Sequence, residues 1–283
     1  MRTHLIYLLL LISCKGATQS SFGPAEYRGE IENAEINEAS GLAAGLNNPN
    51  MLWTHNDSGY KARIFLLNEM GKFKGEFILE GLKNRDWEDI ASGPGPDTNK
   101  NYLYLANIGD NRAVHKLNYI YRIEEPTLGQ DENVIQNYDV ITYIYPDGQR
   151  DAESMFLDPQ TMDIYVLSKR ESNIGIYRAA YPQPLNEIIT LEKLGVIPYN
   201  NTVAADITAM GDQIITKTYD AIYYWQRNGE TIAELLQKEP QEVPYLVEPQ
   251  GESIAWKKDG SGFFTLSEEP KGQEAVLYFY KKK

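Results

Sequence analysis

The sequence predicts an all-β fold, a β-propeller of four-stranded blades, on three observations. Short β-rich segments recur along the chain at intervals of 48, 65, 52 and 47 residues. Each segment opens a unit of four predicted strands, which is the repeat of a propeller blade. The last unit stops after its third strand, and a strand near the N-terminus can supply the fourth. Five blades are therefore favoured, with six as the alternative if the long second interval contains extra strands.

The first thirteen residues predict a bacterial lipoprotein signal peptide. A basic start at Arg2 precedes an apolar run over residues 5–12 and then Ser13 and Cys14. A bilayer span needs roughly 20 apolar residues, so this run indicates a processed signal and not an anchor helix. Residues 11–14 resemble the lipobox, in which the cysteine is lipidated; an ordinary secretory signal with an incidental cysteine is the alternative. Lys15 after the cysteine favours the outer membrane, by analogy with lipoprotein sorting.

Residues 14–23 are small and polar, as expected of a flexible tether between the lipid on Cys14 and a single propeller domain over residues 24–283. Cys14 is the only cysteine. The chain therefore has no intramolecular disulfide, no thiolate metal cage and no cysteine nucleophile, although export would permit disulfides.

The strands of each unit are predicted from apolar, aromatic-rich runs separated by turn residues. The innermost strands are placed at 40–43, 88–91, 153–156, 205–208 and 252–255. The fourth is the weakest match, and a shift of one residue would put Asp206 in the acidic column. The second strands are placed at 51–54, 102–105, 164–167, 213–216 and 262–265, and the third at 63–66, 119–122, 174–177, 222–225 and 276–279.

A fourth, more polar strand follows in the first four units, for example at 73–79 and 140–145. The run 27–31 is predicted to pair with the last unit, closing the ring and leaving no open sheet edge. Residues 232–236 are compatible with one helical turn. The four tryptophans lie near the repeat segments and are expected to pack between blades, with a sugar-stacking platform as the alternative.

A polar ring is expected at one mouth of the channel. In a propeller the innermost strand starts on the face to which the loop after the second strand returns, so both sets of side chains meet there. The expected metal ligands are Asn56, Asp57, Asp89, Asn107, Asp110 and Glu252, because calcium prefers carboxylate and amide oxygens. The expected catalytic residues are His55, Glu88, Glu153 and Lys169, with His55 as a general base. Arg112, Lys217 and Glu268 are expected to contact substrate.

Each of these residues also has a structural interpretation. Asp-Ser-Gly and Gly-Asp-Asn are common turn formers, and an acidic residue at a strand start can satisfy backbone amides of a neighbouring blade. A lone histidine such as His55 is more often hydrogen-bonded in the structure than catalytic. The recurrence of charged groups of both signs at matching repeat positions favours a functional site.

Several of these segments together resemble a widespread group of exported bacterial propeller proteins. The segments are 39–42, 52–59, 86–91, 108–112, 151–154 and 250–256, so the resemblance covers almost the whole mature chain. The group is more distantly similar to phytase-like and gluconolactonase-like propellers, in which acidic residues on the channel axis bind a divalent metal. That distant similarity is an analogy of fold, and fold does not fix function.

Two functions remain open from the sequence. The first is a lipid-anchored propeller that uses calcium or another divalent cation to hydrolyse a phosphoester or lactone. The second is a non-catalytic propeller that binds a peptide, glycan or envelope partner. The formal net charge of −13 argues against nucleic acid as a partner. No P-loop, dinucleotide fingerprint, nucleophile elbow or HExxH motif is present, and a monomer is expected.

Overall fold

The computed structural model describes residues 20–269 and 272–283. The predicted signal peptide, Cys14 and most of the tether lie outside the described residues. The first strand, β1 (Phe22–Glu30), starts two residues before the predicted domain boundary. Within the described part of the chain, no helix is long and apolar enough to span a bilayer.

Five sheets follow one another along the chain and form the blades of a propeller. The first blade contains β2 (Ala39–Ala44), β3 (Met51–Asn56), β4 (Arg63–Asn68) and β5 (Phe73–Leu79). The second contains β6 (Trp87–Gly93), β7 (Tyr102–Asn107), β8 (Asn118–Glu124) and, after the short β9 (Val134–Ile135), β10 (Asp139–Ile144). The third contains β11 (Ala152–Leu157), β12 (Ile164–Ser168), β13 (Ile174–Ala179) and, after the short β14 (Ile188–Thr190), β15 (Glu192–Ile197).

The fourth blade contains β16 (Thr202–Ile207), β17 (Gln213–Thr218), β18 (Ile222–Gln226) and, after helix α1 (Ile232–Leu236), β19 (Gln241–Val243). The fifth contains β20 (Gly251–Trp256), β21 (Gly262–Ser267) and β22 (Val276–Lys282). Its outer strand is β1, which pairs antiparallel with β22 from Phe22 opposite Lys282 to Glu30 opposite Val276. The predicted fold class, the five blades and the closure of the ring by the N-terminal strand are confirmed.

The burial of the strands falls from the axis outwards. Every residue of β11 and β20 is buried, whereas β15 at an outer edge is largely exposed. Inner strands are buried along nearly their whole length because neighbouring blades cover both of their faces, and the polar side chains that they carry are buried as well. Five apolar clusters fill the five spaces between adjacent blades. Trp53, Trp87, Trp225 and Trp256 all lie in these clusters, which agrees with the expectation that they pack between blades.

The outer edges of three blades are covered by the next blade along the chain. The connection between β8 and β10 contributes β9, which pairs in parallel with β5 of the first blade. The connection between β13 and β15 contributes β14, which pairs in parallel with β10 of the second blade. Helix α1 of the fourth blade packs near β15 of the third. The pairings of β9 and β14 occupy backbone groups that would otherwise form open sheet edges, and α1 covers part of the edge at β15.

Candidate metal centre at the channel mouth

A β-bulge occurs at the same register position in all five innermost strands. The ladder between each innermost strand and its neighbour skips one residue. The skipped residues are Ser40, Glu88, Glu153, Val203 and Glu252. A bulge bends its strand and turns the extra side chain in a new direction, and bulges of this kind are common near active sites. Three of the five bulged residues are glutamates.

A second ring is formed by the residue that directly follows the second strand of each blade. These residues are Asp57, Ile108, Lys169, Tyr219 and Glu268. The buried Ile108 belongs to the apolar packing between the second and third blades. In its place, the second blade contributes Asp86, which immediately precedes β6.

We call the following eight residues the mouth cluster: Asp57, Asp86, Glu88, Glu153, Lys169, Tyr219, Glu252 and Glu268. Six of them line a cavity of about 330 Å³ together with Asn111, Arg170, Asn201 and Gln250. The cluster contains six carboxyl groups and one ammonium group. Every blade contributes at least one residue to the cluster. The positions of the two rings that do not contribute are Ser40, Val203 and Ile108.

Asp57, Asp86 and Glu88 form the most compact part of the mouth cluster. One carboxylate oxygen from each lies within 4.8 Å of the others. Gly109 leaves the space for them, because a Cβ atom there would lie 2.0 Å from Glu88 Oε1 and 2.5 Å from Asp86 Oδ2. The position of Asp86 is fixed by its backbone amide, which donates to Asn107 Oδ1 at 3.0 Å. Three converging hard oxygen donors suit a divalent cation such as calcium.

The other side of the mouth cluster is connected by hydrogen bonds. Lys169 forms an ion pair with Glu153 and donates to the Tyr219 hydroxyl at 3.0 Å. Tyr219 in turn donates to Glu252 Oε1. Glu268 lies beside Glu252, whose carboxyl group helps to raise the pKa of Glu268. One ammonium group thus lies among three carboxyl groups, so this side would carry excess negative charge if all three were ionised.

The electrostatics of the mouth cluster oppose full ionisation. Burial and the nearby Glu153 raise the pKa of Glu88 well above its usual range. Burial raises the pKa of Glu153 to about 8 despite its pairing with Lys169. Burial, aided by Asp86, raises the pKa of Asp57 to about 7. Burial and the neighbouring Glu252 raise the pKa of Glu268 to about 9. Carboxyl groups in such a site bind either protons or a cation.

Two carboxylate oxygens of the mouth cluster are buried without a hydrogen-bond partner among the described residues. They are Glu153 Oε2 and Asp57 Oδ1. Glu153 is only 5% exposed. Buried oxygens in native proteins are nearly always satisfied by protein, water or an ion. This observation, which is independent of the clustering itself, also points to a bound ligand.

His55 and Asn56 lie at the end of β3 but outside the lining of the mouth cavity. His55 is fully buried, and its ring meets Trp87 edge-on at a centroid distance of 5.6 Å. Burial lowers the pKa of His55 to about 4, so it is neutral near pH 7. The Asn56 side chain donates to the Glu35 carbonyl at 2.6 Å. The contact of His55 with Trp87 and that of Asn56 with the Glu35 carbonyl are structural, which agrees with the structural interpretation of a lone histidine.

Asn107, Asp110 and Asp89 make contacts within the backbone framework. Asn107 accepts from the Asp86 amide and donates to the Tyr121 hydroxyl at 2.9 Å. Asp110 accepts from the His115 amide at 2.6 Å inside its own loop. Asp89 is fully buried and accepts from the amides of Ile90 and Met155, on β6 and β11. These three residues support the mouth cluster without joining it.

Lys217 and Arg112 also lie apart from the cluster. Lys217 is fully buried between the fourth and fifth blades, where it donates to the Gly251 carbonyl and forms an ion pair with Glu248 at 3.4 Å. Arg112 is exposed on its loop. Tyr219, not Lys217, occupies the position equivalent to Lys169. The predicted residues that the structure does bring together are Asp57, Glu88, Glu153, Lys169, Glu252 and Glu268.

The alignment of the fourth repeat is corrected by the strand register. Val203 is the bulged residue, so the innermost strand is offset by two residues from the predicted match at Ala205. Asp206 lies near the far end of β16, and its carboxylate accepts from the Ile207 and Trp256 amides. The alternative alignment, in which a shift of one residue would put Asp206 in the acidic column, does not occur, because Val203 occupies that position.

Two members of the mouth cluster, Asp86 and Tyr219, were not among the predicted site residues. Asp86 immediately precedes the Trp-Glu-Asp segment of β6, and Tyr219 lies in the loop after β17. A correct register for the fourth repeat would have aligned Tyr219 with Lys169. The register depends on backbone pairing, which the polar pattern of this repeat does not reveal.

Comparisons with known proteins gave matches among solved structures alone. No family model matches the chain, and no curated protein sequence matches it. A nidogen–laminin complex structure is similar with a TM-score of 0.48 and 10% identity, over 84% of this chain and 74% of that one. The Dos1 propeller is similar with a TM-score of 0.41 and 10% identity, over 85% of this chain and 68% of that one.

Proposed function

We propose that the mouth cluster binds a divalent cation of the calcium class through Asp57, Asp86 and Glu88. The observation that carries the proposal is the convergence of their three carboxylate oxygens within 4.8 Å. Burial holds the pKa values of these groups above their usual range, so the site without a cation is electrostatically unfavourable. A bound divalent cation would offset this repulsion, and carboxylate oxygens are the ligands that calcium prefers.

We further propose that the site hydrolyses a phosphoester or a lactone. A cation bound by Asp57, Asp86 and Glu88 would act as a Lewis acid toward a substrate oxygen. Lys169 and Arg170 line the same cavity and would orient an anionic group of the substrate. Burial raises the pKa of Glu153 to about 8, and its Oε2 has no hydrogen-bond partner among the described residues; in its ionised form, which dominates above about pH 8, Glu153 would accept a proton from water.

The cellular setting in this proposal comes from the N-terminal sequence. We propose export, lipidation of Cys14 and an outer-membrane location on the basis of the signal-like residues 1–14 and Lys15. The resemblance to exported bacterial propellers supports the same setting. The alternative function is a non-catalytic binder in which the cation orders the mouth for a peptide or glycan.

Calorimetric titration of the metal-free protein with calcium and with magnesium tests the cation site. We expect saturable binding in the wild type and at least tenfold weaker binding in Glu88→Gln, because one of the three converging oxygens loses its charge. Glu187→Gln, at an exposed glutamate, is the matched control. Equal affinity in wild type and Glu88→Gln would place any cation elsewhere.

A panel of phosphoesters and lactones then distinguishes an enzyme from a binder. Turnover that requires the cation and is lost in Glu153→Gln, with cation binding retained, supports hydrolysis. Cation binding with no turnover across the panel supports the non-catalytic alternative. Turnover unchanged in both Glu88→Gln and Glu153→Gln would contradict the assignment of this site.

A further inference from the structure

The opposite end of the channel holds a second cavity, of about 280 Å³. The last residue of every innermost strand lines it. Those residues are Ala44, Gly93, Leu157, Ile207 and Trp256. Four of the five carry apolar side chains and the fifth is glycine, so the floor of this cavity differs sharply from the charged mouth cluster at the other end.

Three lysines also line this cavity, namely Lys100, Lys257 and Lys258. Lys257 and Lys258 also line an adjoining cavity of about 390 Å³ between the first and fifth blades. Lys257 pairs with Glu69 at 2.7 Å, and Lys100 pairs with Glu124 at 2.7 Å. Exposed ion pairs such as Lys100–Glu124 contribute little to stability, so the Lys100 ammonium group can change partner at small cost.

One acidic side chain, Asp206, lies in the lining of the same cavity. Its two oxygens accept from the Ile207 amide at 2.8 Å and the Trp256 amide at 2.7 Å. Burial raises the pKa of Asp206 to about 7. Because the Asp206 carboxylate is held by these two amides, the lysines are the cationic groups left to meet an anionic ligand. The apolar part of such a ligand would lie over the floor of the cavity, which is formed by the last residues of the innermost strands.

We propose that this cavity binds a small amphipathic carboxylate. Its apolar body would lie on the strand ends, and its carboxylate would meet Lys257 and Lys258. The volume equals that of about nine waters at roughly 30 Å³ each, which sets the ligand at about ten non-hydrogen atoms. An apolar cavity with a few charged groups at its rim is the usual composition of a small-molecule site. This site shares no residue with the mouth cluster.

Calorimetric titration with octanoate, which has ten non-hydrogen atoms, tests the proposal. We expect a Kd in the range of about 0.1–1 mM. Octylamine, with the same chain and the opposite charge, should bind at least tenfold more weakly because the rim is cationic. Propionate should show no saturation because it covers too little of the floor. Absence of saturation by octanoate up to about 10 mM, or equal binding of octylamine, would overturn the proposal.

Variants locate the binding. Lys258→Gln should weaken octanoate binding about fivefold, as for a charge contact at a rim. Lys72→Gln, at an exposed lysine outside the lining, is the matched control. Ala44→Leu should abolish binding by filling the floor, and Glu88→Gln should leave it unchanged because that residue lies at the other mouth. Equal effects of Lys258→Gln and Lys72→Gln would assign the binding to general surface charge.

Discussion

Replacing Glu268 by glutamine tests whether ionised carboxyl groups of the mouth cluster lower the free energy of unfolding when no cation is bound. Glu268 is 7% exposed, and burial beside Glu252 raises its pKa from 4.5 to about 9. The unfolded chain loses this proton near pH 4.5, whereas the folded protein keeps it up to about pH 9. The folded state therefore binds more protons across this window, and the free energy of unfolding falls as the pH rises.

A full proton difference lowers the free energy of unfolding by about 1.4 kcal/mol per pH unit. From pH 5 to pH 8, Glu268 alone would account for a loss of up to about 4 kcal/mol. Glutamine has the shape and neutrality of the protonated acid, so the variant should lose this part of the pH dependence. We expect similar stabilities at pH 5 and a more stable Glu268→Gln protein at pH 8, by about 2–4 kcal/mol.

Urea denaturation in a chelating buffer at several pH values between 5 and 8 measures this difference. Glu187→Gln, at an exposed position, controls for the general effect of removing a negative charge. In the wild type, calcium at one hundred times its Kd should restore about 2.7 kcal/mol at pH 8. Parallel pH profiles for wild type and Glu268→Gln would refute the reasoning, since they would show that Glu268 ionises normally in the folded protein.

Three further substitutions test the framework around the site. Gly109→Ala should weaken calcium binding at least tenfold in titration, because its Cβ would displace Glu88 and Asp86, whereas Gly23→Ala, whose Cβ would lie 3.6 Å from its nearest neighbour, should not. Asp89→Ala should lower the free energy of unfolding by about 3 kcal/mol in urea, because it leaves buried amides of β6 and β11 without acceptors. Lys217→Met should cost about 3–5 kcal/mol at pH 8, because it leaves a buried carboxyl group unpaired; an unchanged urea midpoint would contradict the assigned ion pair.

The architecture was predictable because the repeats carry a strong periodic signal. Each unit repeats the order of apolar runs and turns, and the innermost strand of each blade is buried at all or all but one of its residues. The missing outer strand of the last unit required a partner, and β1 supplies it. The short strands β9 and β14 were not predicted, because each has only two or three residues and depends on the edge of the preceding blade.

The site was predictable in part, and the errors share a physical origin. Glu88, Glu153 and Glu252 were found because the same residue type repeats at the bulge. Val203 has no polar side chain, so the fourth repeat has no acidic residue that can be aligned with Glu88, Glu153 and Glu252. Without that alignment, the register of the fourth repeat was wrong and Lys217 was placed at the mouth. Similarly, the side chains of Asn107 and Asp89 accept hydrogen bonds from backbone amides. Composition alone does not distinguish a polar side chain with this structural role from one that binds a ligand.

The bulges explain why Glu88, Glu153 and Glu252 meet at one mouth of the channel. A regular strand would alternate its side chains between the two faces of the blade, and both faces are packed against neighbouring blades. The extra residue at each bulge is the one position of the innermost strand released from that alternation. A glutamate there gains no packing, and its burial raises the pKa of Glu88 and Glu153. Three acidic residues at positions that packing does not require are best explained by a ligand, because without one they lower the stability of the fold.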